Sequence, residues 1–499
     1  MKINKRDLFY IIISICALVR MGLYGFAFYP ILDDWVQYGT FSLEPNPIRD
    51  KFIATGYWTY RPLSWLLDIF LWCRISFLLP LIITLMHAGS CILFLRAGEK
   101  IGFKLGIPFI LIYMFIPMNS EATMWMSACT RIIVPLFFLS LSLNFAIKLA
   151  EFVGAPTGRP RRKVRKFSDG QWPPLRVTYS ILFFITQLFA LFIYEQVAVI
   201  TAVITFLLGL KLKRKTIWIT TLVTSILLGA YYLAFMPAGP AIERAAVAGN
   251  QFWDFYYAFC EGLGRVSWEI FANGFARGIK VLMANPFYFI LVALSSLAFG
   301  LFSVFKNDDD VKPKKRRGRP RKVSRAKLLF DKHKMPIAKI LLGIVLFILT
   351  LLPFIFIKGN SLALRSLFVA IIGFAVMVDG IVDLIPKRQL FMPAISGALV
   401  FMFMISGISE LTDYRACSLL DREYALGLAP QAMQEHLYIE RIPTLLTEQN
   451  SFYVEHICSV SSVNFAITGA IRYLTKNLAT PTVKVVWDKD LWENKYAPK

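Results

Sequence analysis

Charged residues are scarce in this sequence, and histidine is scarcer. Only 17% of the 499 residues are charged, whereas a water-soluble protein of this length needs roughly a quarter to cover its surface. The four histidines are far apart, and the seven cysteines include no CxxC pair or other metal-ligand spacing. A soluble enzyme is therefore excluded, and the sequence indicates no cofactor and no metal site.

Long apolar runs are what the sequence has in abundance. Apolar residues make up 57% of the chain, and the mean hydropathy is +0.56. A helix needs about 20 apolar residues to cross a bilayer. Such runs predict an all-α polytopic membrane protein with about eleven transmembrane helices, at residues 8–29, 75–96, 102–118, 131–150, 177–195, 197–212, 216–236, 286–305, 338–357, 366–385 and 390–408.

The net charge of +23 is concentrated in two stretches. Residues 156–176 hold seven Lys or Arg against one Asp, and residues 306–339 hold fourteen against four. Short basic loops stay in the cytoplasm. This pattern predicts cytoplasmic loops at 151–176 and 306–337 and a cytoplasmic N-terminus in a multi-pass protein of the cell membrane.

The basic run at residues 312–322 contains an Arg-Gly-Arg-Pro core, as some minor-groove DNA-binding segments do. It lies in a loop between two predicted spans, so anionic lipid headgroups are closer to it than DNA would be. The sequence therefore predicts membrane lipids as partners and no nucleic acid.

The C-terminal segment differs in composition from the rest of the chain. Residues 409–499 hold nine Lys or Arg against eleven Asp or Glu and mix helical with alternating patterns. Eleven crossings place this segment outside the cell. We therefore expect a transmembrane domain over residues 1–408 and a small extracytoplasmic α/β domain over residues 409–499.

Two neighbouring carboxylates follow the first predicted span. Asp33 and Asp34 stand among aromatic and aliphatic residues at the membrane surface. Desolvation and mutual repulsion would raise their pKa values, as a general base acting on a sugar hydroxyl requires. The same dipeptide also fits a helix N-cap followed by a first-turn acid, and the residues alone favour neither reading.

Other ionisable residues are predicted on the same outside face. Residues 57–72 are too short and too interrupted to span, and they suit a helix that lies in the interface. The ionisable residues are Arg61 at the start of that segment, Glu121 and Arg131 in a second outside segment, Glu195 at a span end, and Lys358 and Arg365 before the tenth span.

Three short segments together resemble the GT-C superfamily of integral-membrane glycosyltransferases. They are Asp33-Asp34, Tyr60-Arg61-Pro62 and Trp125-x-Ser-x-x-x-Arg131. The topological resemblance covers about residues 1–408. Within this superfamily, the sequence is similar to the O-antigen-modifying glucosyltransferases and the protein O-mannosyltransferases. It implies interfacial helices in the first outside loop and a sugar transferred from a polyprenyl-phosphate donor to a glycan, lipid or protein acceptor.

The resemblance also implies roles for the outside residues. Asp33 or Asp34 would be the catalytic base of an inverting transfer that needs no metal. Donor-phosphate binding would fall to Arg61, Arg131, Lys358 and Arg365, and acceptor binding to Glu121 and Glu195. Each Arg is also explained as an anchor to lipid headgroups, and Glu195 as a local structural acid.

Arg20 lies in the middle of the first predicted span, where a charge needs a partner. Asp379 and Asp383 are the partners we expect, in a structural ion pair.

Two other functions fit the general pattern. A polymerase or ligase of lipid-linked glycans would need the outside arginines but not the acidic pair. A lipid or polysaccharide transporter would place ionisable residues and broken helices near mid-membrane.

Overall fold

A computed structural model describes most of the chain, and the described residues are mainly helical. They are residues 5–41, 43, 63–64, 78–152, 173–235, 253, 256–257, 259–260, 264, 267–311, 325–356, 364–431, 436–438, 464–481, 483–486 and 489–495. The helices are α1 (Lys5–Leu23), α2 (Asp33–Phe41), α3 (Leu79–Ile101), α4 (Ile107–Phe115), α5 (Ser120–Met124), α6 (Met126–Phe152), α7 (Pro173–Phe192), α8 (Glu195–Leu212), α9 (Lys215–Phe235), α10 (Gly274–Met283), α11 (Pro286–Val311), α12 (Arg325–Phe356), α13 (Leu364–Leu384), α14 (Met392–Leu428), α15 (Asn464–Thr475) and α16 (Lys489–Lys495).

The described residues include seven helices that are long and apolar enough to cross a bilayer, namely α3, α6, α8, α11, α12, α13 and α14. An eighth candidate combines α4 with residues 117–124, which meet at a bend of 48°. The predicted multi-pass membrane protein is confirmed at this level. A helix lies at each of the eleven predicted segments, but the count of eleven crossings stays a prediction.

The helices of the bundle terminate at two opposite faces, which are called its two ends. At one end Arg6 pairs with Glu99 at 3.2 Å, the Arg214 guanidinium donates to the Ala150 carbonyl, and the Gly106 amide donates to Asp379. We call this the basic end, and it includes the turns 102–106, 213–214 and 385–391. The basic runs at 153–172 and 312–324 lie outside the described residues. The opposite end, the α2 end, carries Asp33 and Asp34.

Helices α12 and α13 cross closely because glycines face each other. A Cβ atom at Gly343 would lie 2.5 Å from the Met377 nitrogen, and one at Gly373 would lie 2.4 Å from the Phe347 nitrogen. Small residues let helix backbones approach closely in membranes. The crossing brings Lys339 of α12 beside Asp379 and Asp383 of α13.

Helix α14 does not end where the sequence predicted a domain boundary. It runs unbroken from Met392 to Leu428, so residue 408 lies inside it. Its 37 residues measure about 55 Å, against about 30 Å for the hydrocarbon core of a bilayer. Its far end therefore extends beyond the bilayer at the α2 end.

The C-terminal segment packs against this far end of α14. Helix α15 contacts α2 and α14, and buried Ala425, Ile467 and Ala470 share a small core with Trp35. Two short strands, β1 (His436–Tyr438) and β2 (Lys484–Val486), pair in parallel, with His436 opposite Lys484. Helix α15 of this segment thus packs on α2, and the division into domains 1–408 and 409–499 stays a prediction.

Candidate active site at the start of α2

A tight turn before α2 positions the two aspartates. The amide of Asp34 donates to the Ile31 carbonyl at 2.8 Å, and Leu32 has a φ of 38°. A leucine rarely adopts this left-handed conformation, which is maintained only where the surrounding structure enforces it. The turn directs Asp34 into the protein, where its exposed fraction is 0%, and leaves Asp33 half-buried.

Asp34 is bound to the first turn of α6. Its Oδ1 atom accepts hydrogen bonds from the Ser127 amide at 2.8 Å and from the Ser127 hydroxyl at 2.5 Å. Both donors belong to one residue, so a single residue fixes the plane of the carboxyl group. The arrangement resembles a base held by a second group that orients it.

Burial raises the pKa of Asp34 to about 7. The two hydrogen bonds from Ser127 oppose this rise because they favour the ionised form, and the nearby Asp33 charge adds to it. A carboxyl group with a pKa near 7 is half ionised at neutral pH. It can therefore accept a proton from a substrate and release it again.

The second oxygen of Asp34 has spare hydrogen-bonding capacity. Among the described residues, Asp34 Oδ2 is buried without a hydrogen-bond partner. Tyr24 lies near enough to Asp34 to feel its charge. Buried polar atoms are normally paired, so this oxygen can accept a hydrogen bond from a hydroxyl-bearing ligand.

Arg131 is brought to the same place by α6. It follows Ser127 by four residues, which puts both side chains on one face of the helix, one turn apart. Arg131 is half-buried. Arg131 is thus one helical turn from the serine that binds Asp34. Its role in phosphate binding stays a prediction.

The C-terminal segment covers the other side of α2. The rings of Tyr38 and Tyr473 lie 5.0 Å apart, and Trp35 lies 6.1 Å from Tyr473. A Cβ atom at Gly39 would lie 2.3 Å from the Gly469 carbonyl oxygen, so the two backbones are in direct contact. Helix α15 therefore helps to set the position of α2 and of its aspartates.

We expect Gly39→Ala to lower stability by about 1–3 kcal/mol, because the added methyl group has no room against Gly469. Thermal unfolding of the detergent-purified protein measures this. Gly229→Ala is the matched control, since a Cβ atom there meets nothing within 4 Å. Equal unfolding midpoints for the two variants would contradict the close packing of α15 on α2.

A second group of buried polar residues lies beside this site. Arg20 donates to the Met114 carbonyl at 3.2 Å and to the Ser120 hydroxyl at 3.1 Å. Glu410 of α14 interacts with Ser120 and with the Arg20 charge. The predicted pairing of Arg20 with Asp379 and Asp383 is therefore wrong.

Asp379 and Asp383 bind Lys339 instead, with 2.6 Å between the lysine Nζ atom and each carboxylate. This cluster lies at the basic end, whereas Arg20 contacts the break between α4 and α5.

The remaining predicted site residues are placed as follows. Glu121, in α5, is fully buried and lies near Glu410, within the Arg20 group. Glu195 is the first residue of α8 and is half-buried. Arg365 lies in the first turn of α13, but its side chain lies outside the described residues, as do Arg61 and Lys358. The interfacial segment 57–72 also lies outside them, apart from Leu63 and Ser64.

Sequence reasoning missed three residues that matter here. Ser127 belongs to the Trp125-x-Ser-x-x-x-Arg131 segment, but the sequence predicts no role for it. A serine alone does not indicate which residue it will hydrogen-bond. Glu410 fell just past the predicted end of the last span. Lys339 is a single charge at the start of an apolar run, the same signal that singled out Arg20.

The described residues hold no group of three or more His, Cys, Asp or Glu placed to bind a metal ion. The chain matches no family model, no curated protein and no solved structure.

Proposed function

We propose that the protein is an inverting glycosyltransferase that moves a sugar from a polyprenyl-phosphate carrier to a hydroxyl acceptor at the α2 end. The observation that carries this proposal is Asp34. It is a buried carboxyl group with a pKa near 7, held through one oxygen by Ser127 and with its other oxygen unpaired among the described residues.

The chemistry is a single displacement. The acceptor hydroxyl gives its proton to Asp34 Oδ2, and its oxygen attacks the anomeric carbon of the donor sugar. The bond from that carbon to the phosphate oxygen breaks, and the polyprenyl phosphate leaves with the electron pair. Attack from the side opposite the leaving group inverts the anomeric configuration.

The leaving phosphate gains negative charge and needs a cation. Arg131 is the described candidate, because it lies one turn from Ser127 and guanidinium binds phosphate oxygens in pairs. Arg61, Lys358 and Arg365 stay predicted donor-phosphate residues, and Glu121 and Glu195 stay predicted acceptor-binding residues. The glycan, lipid or protein acceptor would approach from the α2 end.

A transfer assay tests this function. The purified protein is mixed with a panel of radiolabelled polyprenyl-phosphate hexoses and with membranes of the producing cells as the acceptor source. Radioactivity should move from the lipid extract into a new product with at least one donor, and the free polyprenyl phosphate should appear in equal amount. No transfer from any donor, by a folded protein, would contradict the proposal.

The proposal also requires that the α2 end face outward. We expect Glu493→Cys, on exposed α16, to react with a membrane-impermeant maleimide in intact cells, and Lys215→Cys, at the basic end, to react only after permeabilisation. Both variants carry Cys73→Ser, Cys260→Ser and Cys458→Ser, because Cys260 is exposed and the other two lie outside the described residues. The reverse pattern of labelling would contradict the orientation.

The buried group around Arg20 favours a second candidate, a transporter of a lipid-linked sugar. The helical break between α4 and α5 lies beside Arg20, Glu121 and Glu410. Broken helices with buried ionisable residues are typical of transport sites.

In proteoliposomes, a transporter would move a labelled lipid-linked sugar from the inner to the outer leaflet. Periodate added outside would then oxidise that sugar. Glu410→Gln would stop this movement, whereas Asp34→Asn would not. The glycosyltransferase proposal predicts the opposite dependence, on Asp34, in the transfer assay.

A further inference from the structure

A short helical stretch precedes α11 and is too short to cross a bilayer. Residues Ser267–Asn273 form a π-helical stretch that continues directly into α10, and α10 ends at Met283, just before α11 begins. We call residues 267–283 the 267–283 segment. Stretches of π-helix are rare and occur frequently at functional sites, so the position of this segment in the bundle is informative.

The 267–283 segment crosses α14 instead of running along it. The Phe271 ring lies 5.9 Å from the Phe403 ring, and the Gly278 backbone lies directly against the Ile405 carbonyl oxygen, where a Cβ atom would have no room. The helix rises about 10 Å from Phe271 to Gly278, whereas α14 rises only about 3 Å from Phe403 to Ile405. The two axes therefore meet at a steep angle.

Helix α11 shows the depth of this crossing. Its apolar run, Pro286–Val304, measures about 28 Å, close to the ~30 Å of the hydrocarbon core of a bilayer. Near the start of this run the Phe289 ring lies 5.9 Å from the Phe401 ring of α14, and farther along Gly300 packs against Gly397. The two helices are therefore antiparallel. The crossing point lies level with the first residues of α11, at the boundary between hydrocarbon and headgroups at the α2 end.

The faces of α10 differ as those of an interfacial helix do. Phe275 and Ile279 pack against the apolar core of the bundle. Arg277 pairs with Asp413 through two bonds of 2.7 and 3.0 Å. Asp413 lies about two turns beyond Ile405 toward the far end of α14, which extends past the bilayer. The apolar face of α10 is thus directed toward the bundle core and Arg277 toward water, the polarity expected at a membrane surface.

The outward side of the 267–283 segment carries large exposed apolar side chains. Trp268 is 66% exposed and Met283 is 72% exposed. Below Met283, an exposed stripe with helical spacing continues along α11 through Phe287, Ile290, Leu294, Leu297 and Leu301. Because α11 is long and apolar enough to cross the bilayer, this stripe faces the acyl chains of the lipids. The exposed side of the segment continues that lipid-facing surface to the level of the headgroups.

We propose that the 267–283 segment binds the surface of the lipid bilayer at the α2 end as a helix that lies in the membrane plane. Trp268 and Met283 insert among the first acyl carbons, since tryptophan is favoured at this depth. Exposed Lys280 extends to the lipid phosphates, as long cationic side chains do at an interface. This surface is independent of the glycosyltransferase proposal, because it uses neither Asp34 nor its neighbours.

Spin labels on the full-length protein in lipid nanodiscs test the proposal. Single cysteines are introduced with Trp268→Cys and Met283→Cys, in a background that carries Cys73→Ser, Cys260→Ser and Cys458→Ser. Collisions of each label are measured with oxygen, which concentrates among acyl chains, and with a nickel chelate, which stays in water. Leu297→Cys, at mid-depth on α11, and Glu493→Cys, on exposed α16, are the matched references for lipid and water.

We expect the ratio of oxygen to nickel collisions at Trp268→Cys and Met283→Cys to exceed that at Glu493→Cys several-fold and to stay below that at Leu297→Cys. Ala276→Cys, an exposed small residue on the outward side of α10, gives the same readout if Trp268→Cys does not fold. A ratio equal to that of Glu493→Cys would place the segment in water and overturn the proposal. A ratio equal to that of Leu297→Cys, or labels that neither reagent reaches because a protein partner covers them, would also overturn it.

Discussion

Asp34→Asn is expected to lower sugar transfer by about 10²–10⁴-fold, the usual contribution of a general base. The amide cannot accept the proton of the acceptor hydroxyl. It can still accept the two hydrogen bonds from Ser127, so the side chain should keep its place. Initial rates with a saturating polyprenyl-phosphate hexose measure the effect.

Two controls separate catalysis from folding. Asp33→Asn changes the half-buried neighbour and should cost far less activity, because Asp33 has no hydrogen bond to Ser127 in the described structure. The unfolding midpoint of Asp34→Asn should stay close to that of the unaltered protein, since Asp34 is already half protonated at pH 7. If Asp34→Asn keeps full transfer activity, Asp34 is not the base.

Lys339→Met is expected to lower the free energy of unfolding by about 3–5 kcal/mol. Lys339 bonds to Asp379 and Asp383 at 2.6 Å, and its exposed side-chain fraction is 3%. Removing the lysine leaves buried Asp379 facing half-buried Asp383 without their shared cation, and Arg388 pairs with Asp383 alone. Thermal or denaturant unfolding in a fixed detergent measures the loss.

Lys334→Met is the matched control for this variant. It removes the same charge from α12 at an exposed position and should change stability by less than about 0.5 kcal/mol. Adding Asp379→Asn to Lys339→Met should restore part of the lost stability, because one unpaired charge is removed. Equal stability of Lys339→Met and Lys334→Met would show that the cluster does not stabilise the bundle.

The helices could be predicted from the sequence because bilayer-length apolar runs are a strong and local signal. The end of α14 could not be predicted, since the polar residues after 408 indicated the start of a separate α/β domain although they continue the same helix. Their polarity reflects the part of α14 that extends beyond the bilayer. The contact between Gly39 and Gly469 is likewise invisible in the sequence, because it joins residues 430 positions apart.

The candidate site was predicted only in part. Asp34 was recognised because adjacent carboxylates after a span are unusual, and Arg131 because of its spacing from Trp125. Which aspartate is buried depends on the turn at Leu32, and no residue pattern reports a φ of 38° there. The partners of Arg20 depend on how α4 and α5 break, which is a tertiary property.

The pH dependence of sugar transfer by the purified protein tests the central claim most directly. If Asp34 is the base, the rate must rise by about tenfold per pH unit below pH 7 and level off above it, because only the ionised carboxylate accepts the proton. The residual rate of Asp34→Asn should lack this rise. A flat profile from acidic to alkaline pH in the unaltered protein, or the same rise in Asp34→Asn, would contradict the account.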